Sequence, residues 1–144
     1  MAKFVATDVK TTINGVDFSS HIAAVTWEIT ADEIETTAFG GSGYRTRVAG
    51  LKDGSITIDF HQDFATTTGA GVAAVDQTIW GLFGSVATVV SVPTSGSVSA
   101  SNPSYSGVFL VSQTQHIASN VGDLATQSLT WPTAGTAGIT RGTV

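Results

Sequence analysis

The chain has no cysteine among its 144 residues, which excludes disulfide staples and thiolate metal sites and leaves its redox compartment unmarked. Charge is scarce as well: 12% of residues are Asp, Glu, Lys or Arg, against roughly 25% in an ordinary soluble domain. Positive charge is the scarcer kind, with six Lys and Arg against eleven Asp and Glu and a net charge of -5. That balance, with a pI near 4.8, argues against a protein that holds nucleic acid by neutralising phosphates. Long apolar runs are missing too. The longest stretches, such as residues 86–92, are interrupted and fall far short of the roughly 20 residues a spanning helix needs. The first six residues carry one lysine and no sustained apolar stretch, unlike a secretory leader. A cytosolic protein, or one released by lysis, is expected.

Serine, threonine, glycine, alanine and valine take the place of the missing charge, a β-rich composition. Mean hydropathy is +0.23, so either something other than charge keeps this surface soluble or much of it does not meet water. The length suits one domain, able to bury about 68–70% of its unfolded surface.

Along the chain, Asn14-Gly15 between Thr11-Thr12-Ile13 and Val16-Asp17-Phe18 predicts a tight hairpin, because both residues accept the positive φ of a type I′ turn. From His21 the sequence alternates, Val25, Trp27 and Ile29 against Thr26, Glu28 and Thr30, as a half-buried strand does. Residues 31–54 break that rhythm with acids, four glycines, Phe39, Tyr44, Arg45 and Arg47, then Leu51-Lys52-Asp53-Gly54. They read as a long loop closed by a turn, and long loops in compact domains are often functional. Alternation resumes at Ile56, Ile58 and Phe60 against Thr57 and Asp59, so the two strands could form a long hairpin with this loop at its tip. Val72, Val75, Ile79 and Leu82 predict a helix over residues 72–83, started near Thr68 and stopped by Gly84. Residues 86–92 predict a buried strand, 93–106 a Ser/Gly-rich loop with a turn at Asn102-Pro103, and 107–115 a strand apolar on both faces that a neighbouring subunit would cover. Residues 123–131 alternate again, and 132–144 form an arm or a last edge strand.

Catalytic patterns are thin. His21, His61 and His116 stand in no dense metal-ligand spacing; His61 and Asp63 are the closest acid–histidine couple, and no Gly-x-Ser-x-Gly elbow accompanies them. Gly69-Ala70-Gly71 before a helix lacks the βαβ context and the acid of a dinucleotide site. No catalytic residue, metal or cofactor is expected. Trp27, Trp80 and Trp131 fall on apolar registers and read as core. Arg45 and Arg47 bring a third of the positive charge into one loop whose base holds Asp32, Glu33 and Glu35. Such complementary patches suit an assembly contact between copies.

The order of segments resembles the major tail tube proteins of long non-contractile-tailed (siphophage-type) bacteriophages. It is carried by residues 13–22 (INGVDFSSHI), the acidic 31–40 (ADEIETTAFG), 48–55 (VAGLKDGS), the helix after His61-Gln62-Asp63-Phe64, and 101–107 (SNPSYSG). The resemblance spans roughly residues 8–131, through an ordered set of segments rather than a single signature. It implies a mainly β fold, a β-sandwich or barrel-like domain with one flanking helix and a long inter-strand loop. The implied subunit joins copies of itself into rings, usually six-fold, that stack into a hollow tail tube. Genomic DNA would pass through without specific binding. Tape measure, tail terminator and distal tail proteins would be its partners, in a virion assembled in the host cytoplasm. Stacking would fall on residues 37–50, including Phe39, Tyr44, Arg45 and Arg47, and candidate lumen residues are Thr26, Glu28, Thr30, Thr57 and Asp59. The rival reading from another class is a carbohydrate-binding or virion decoration module that uses Tyr44 and Tyr105 as a sugar platform.

Overall fold

The computed structural model describes residues 3–66 and 74–144. Thr68, the Gly69-Ala70-Gly71 turn and Val72 lie outside the described residues. Asn14 and Gly15 both take positive φ, 49° and 82°, and fold β1 (Lys10–Ile13) onto β2 (Val16–Asp17) as the dipeptide predicts. Asn14 also ties this turn to the next strand, its side-chain oxygen accepting from the Thr88 amide at 2.9 Å. β1 pairs with β5 (Val86–Val92), β5 with β6 (Ser104–Leu110), and β6 with the short β8 (Thr140–Gly142), giving one five-stranded sheet in the order β2-β1-β5-β6-β8. The second sheet has three strands, β3 (Ile22–Glu35), β4 (Arg47–His61) and β7 (Thr126–Pro132), with β4 in the middle. Every pairing is antiparallel.

The two sheets face each other across a single core, as in a β-sandwich. Ile13, Ala87, Val89 and Phe109 come from the five-stranded sheet, and Ile56, Ile58, Phe60, Leu129 and Trp131 from the three-stranded one. β7 shows the period most clearly, with Gln127, Leu129 and Trp131 buried between exposed neighbours. Buried Gln127 donates its side-chain amide to Gln62 Oε1 at 3.0 Å, while its own Oε1 has no partner. The helix α1 (Val75–Leu82) closes one end of the core with Val75 and Ile79. It starts later than the expected 72, because Ala74 is extended (φ -104°, ψ 103°), and it ends where Gly84 takes a φ of 81°.

Several expectations need correction. The loop predicted over 31–54 is mostly strand: β3 and β4 stay paired from Thr30 opposite Asp53 out to Glu35 opposite Arg47, leaving residues 36–46 as the connection. Leu51-Lys52-Asp53-Gly54 is not a turn but part of β4. Its glycines serve packing instead. A Cβ at Gly54 would meet Ile139 and Thr133 at 2.9 Å, and one at Gly50 would meet Ile34 Cδ1 at 2.9 Å and Asp32 Cβ at 3.1 Å. Gly50 and Leu51 together oppose Asp32 in a bulge, which explains the broken alternation. β6 starts at Ser104, inside the expected loop, and ends at Leu110; buried Val111 still exchanges backbone bonds with Ser85 and Gly84 at 2.9 Å, and residues 112–115 leave the sheet. Val108 is half-buried: the chain around Gly135 passes beside it, where a Cβ would lie 3.6 Å from Val108 Cβ, and Ala134 donates to its carbonyl at 2.9 Å. Leu110 stays 37% exposed. Of the tryptophans, Trp131 is core and Trp27 is half-buried against Phe109, whereas Trp80 is 72% exposed on the outer side of α1.

Candidate assembly surfaces

The three-stranded sheet turns one face to the core and the other outward. Alternation sets Thr26 beside Thr57 and Thr130, Ala24 beside Asp59 and Ser128, Glu28 beside Ser55, and Thr30 beside Asp53. All five expected lumen residues, Thr26, Glu28, Thr30, Thr57 and Asp59, therefore share this outer face. Thr57 and Thr130 hydroxyls are hydrogen-bonded at 3.0 Å. The face is one of hydroxyls and carboxylates. Lys52, opposite Ala31 and two residues from core-facing Gly54, alternates to the other side, as do Glu33, Glu35 and Arg47 beyond it. No Lys or Arg of β3, β4 or β7 stands on the outer face, which holds Glu28, Asp53 and Asp59.

Beyond the core the β3–β4 hairpin continues as a free arm. From residue 28 to residue 53 every residue is exposed except half-buried Gly50. Seven or eight residues per strand carry the arm about 25 Å from the body. A two-stranded ribbon of this kind is marginal alone in water. Its two faces differ. On one, Arg45 lies 3.9 Å from Glu35 and Arg47 lies 3.7 Å from Glu33. On the other, Ile34 stands opposite Val48, with Leu51 at the bulge, at 50%, 52% and 82% exposure. Phe39 and Tyr44 are fully or largely exposed in the tip, where the Thr36 and Thr46 hydroxyls meet at 3.1 Å.

Thus the basic and acidic groups that suggested a contact between copies are brought together inside one copy, across the hairpin. Arg47 belongs to β4 rather than to the loop. Such exposed pairs contribute roughly 0.2–1 kcal/mol each, enough to stiffen an arm but little more. The apolar stripe Ile34, Val48 and Leu51 went unnoticed in the sequence because a bulge hides its spacing.

The histidines are placed differently from the expected couple. His21 Nε2 is 3.8 Å from Asp63, and His116 Nδ1 is 2.6 Å from Asp76 on α1. His61 pairs with neither acid. Among the described residues no group of three His, Cys, Asp or Glu side chains is placed to hold a metal ion, and no helix is long and apolar enough to cross a membrane. Tyr105 lies on β6, half-buried beside Trp27 and Pro93 in a groove between the sheets, so it is not a loop aromatic and forms no exposed platform with Tyr44.

No family profile matches the sequence, and neither does any curated protein. The fold does match a solved structure: a chain from the "Virion of native gene transfer agent (GTA) particle" superposes with a TM-score of 0.72 over 96% of this chain and 98% of that one, at 16% sequence identity. At that identity the likeness is one of fold.

Proposed function

We propose that this chain is a structural, non-enzymatic subunit of a phage-type tail tube. Copies join through their three-stranded sheets into rings, six-fold by resemblance, and the rings stack into a hollow conduit for genomic DNA. One observation carries the reading: the sheet whose outer face bears Glu28, Asp53 and Asp59 and no basic residue also ends in β3, a strand of 14 residues at the sheet edge. A long unpaired edge invites strand addition, and repeating that addition around a ring would turn one face of hydroxyls and carboxylates, free of basic residues, inward. Such a wall repels phosphates and lets DNA slide rather than stick. The fold likeness to a chain of a gene transfer agent virion supports a place in a virion.

Stacking falls to the arm. Phe39, Tyr44, Arg45 and Arg47 would reach the adjoining ring, with Asp32, Glu33 and Glu35 at the base, and the exposed Ile34, Val48 and Leu51 stripe would be covered there. A ribbon that is marginal alone gains order by that burial. Tape measure, terminator and distal tail proteins would meet the ends and interior of such a tube, and the assembled location is the virion tail. Electron microscopy of the purified protein at high concentration, alone and with a tail-initiation complex, tests the reading. Hollow tubes of stacked rings are expected; a particle that stays monomeric under both conditions overturns it.

A further inference from the structure

The three-stranded sheet has a second edge, and it is closed in an unusual way. On β7 the amides of Thr126, Ser128 and Thr130 face away from β4, and the last two are capped. Neither of these two meets a strand. Thr130 N–H donates to the side-chain oxygen of Gln113 at 3.1 Å, and Ser128 N–H to that of Gln115 at 3.4 Å. Pro132, next in the same phase of the strand, has no N–H to offer. The two glutamines are two residues apart, as are their partners, so residues 113–115 run antiparallel to β7 at side-chain distance, with amide groups standing where a neighbour's backbone carbonyls would be.

This clip is fastened by side chains at both ends. At one end the Trp131 indole N–H donates to the Gln113 carbonyl at 3.1 Å. At the other, the Gln62 side-chain amide donates to the His116 carbonyl at 2.8 Å, His116 Nδ1 bonds Asp76 at 2.6 Å, and the imidazole and Trp80 rings stand T-shaped with centroids 5.1 Å apart. No strand ladder holds the segment, which left β6 at Leu110. Two neutral side-chain hydrogen bonds, one of them long, are weaker than the row of backbone bonds an added strand would make.

We infer that Gln113 and Gln115 form a removable cap on β7, and that β3 of a second copy displaces them to take the Ser128 and Thr130 amides. The second copy is the occupant because the same sheet presents β3 unpaired at its opposite edge; adding that strand to β7 extends one sheet and keeps its acidic face on one side. The cap keeps single copies from pairing edge to edge before assembly begins, as edge-protecting devices do in other β-proteins. This inference rests on the tube reading above.

The test compares the wild-type chain with Gln113→Ala/Gln115→Ala and with His116→Ala, which loosens the far end of the clip without touching β7. In dilute monomer, NMR hydrogen exchange should show the Ser128 and Thr130 amides exchanging faster in the double variant and the Leu129 amide unchanged. Sedimentation should show the concentration needed for polymerisation falling, by about thirtyfold in the double variant if the two lost bonds have ordinary net strength, and by less in His116→Ala. Should the double variant not fold, His116→Ala alone decides the direction. Unchanged exchange at Ser128 and Thr130, or polymerisation of all three proteins at one concentration, overturns the cap while leaving the tube reading intact. If no variant and no wild-type sample polymerises under any condition, the tube reading falls, and the partner assigned to this edge falls with it.

Discussion

Reversing the charge of Arg45 and Arg47 separates the arm from the body. Each arginine faces an acid of the same hairpin at 3.9 and 3.7 Å, with side chains between about half and four-fifths exposed. Removing two such pairs costs roughly 0.2–1 kcal/mol each, and setting like charges in their place costs a similar amount again. Arg45→Glu/Arg47→Glu should therefore weaken the arm by about 1–2 kcal/mol. The core lies beyond this region, in Ile56, Ile58, Phe60, Leu129 and Trp131. If the arm frays on its own, thermal unfolding of the body hardly moves; if arm and body unfold together, Tm drops by a few degrees at most. Tubes, by contrast, should be lost, because a splayed arm no longer carries Phe39 and Tyr44 to the next ring. A fourfold swap, with Glu33→Arg and Glu35→Arg added, restores opposite charges across the hairpin and should restore tubes. Normal tube length and yield in the double variant would show that the charges do not matter for stacking. Failure of the swap, with a folded body, would refute the claim that they act through pairing within one arm.

Other perturbations probe the core and the first turn. Leu129→Ala removes a fully buried side chain between the sheets and should cost about 2–5 kcal/mol in chemical denaturation; a loss below 1 kcal/mol would mean the sheets are not packed against each other there. At Asp17, burial works to raise the carboxyl pKa, but the side-chain and backbone hydrogen bonds from Ser19 and the charge of Lys10 outweigh it and hold the group below the ordinary carboxylate range. A depressed folded pKa gives stability that is present above the unfolded value, near 3.9, and lost as pH falls through the folded one. Asp17→Ala should thus melt below the wild type at pH 7, with the gap closing under strong acid; a gap constant with pH would exclude the carboxylate as its source.

Much of this was legible in the sequence where local chemistry and tertiary structure agree. Asn14-Gly15 could do little but turn, and the alternation of 56–60 and 127–131 marked core strands because each buries one face. Legibility failed where glycine served packing rather than turning. Gly50 and Gly54 sit inside β4 because side chains of Ile34, Asp32, Ile139 and Thr133 occupy the space of a Cβ, and composition alone reads such glycines as loop. Trp80 misled in the opposite sense: it follows core-facing Ile79 directly, and on a helix adjacent residues point to different sides. The five outer-face residues were found because period two is strict along one strand. The ion pairs within the arm were not, since the sequence carries no record of whether opposite charges meet in one copy or between two.

The central claim is that the outer face of the three-stranded sheet lines an enclosed channel, and the absence of cysteine makes it directly measurable. Thr57→Cys places one thiol on that face, and Gln77→Cys places one on the exposed side of α1 as a control. Both should react with a bulky polyethylene-glycol maleimide in the monomer. In assembled tubes the thiol at position 57 should be protected and the one at position 77 should remain reactive. Equal labelling of both in the polymer would contradict the account.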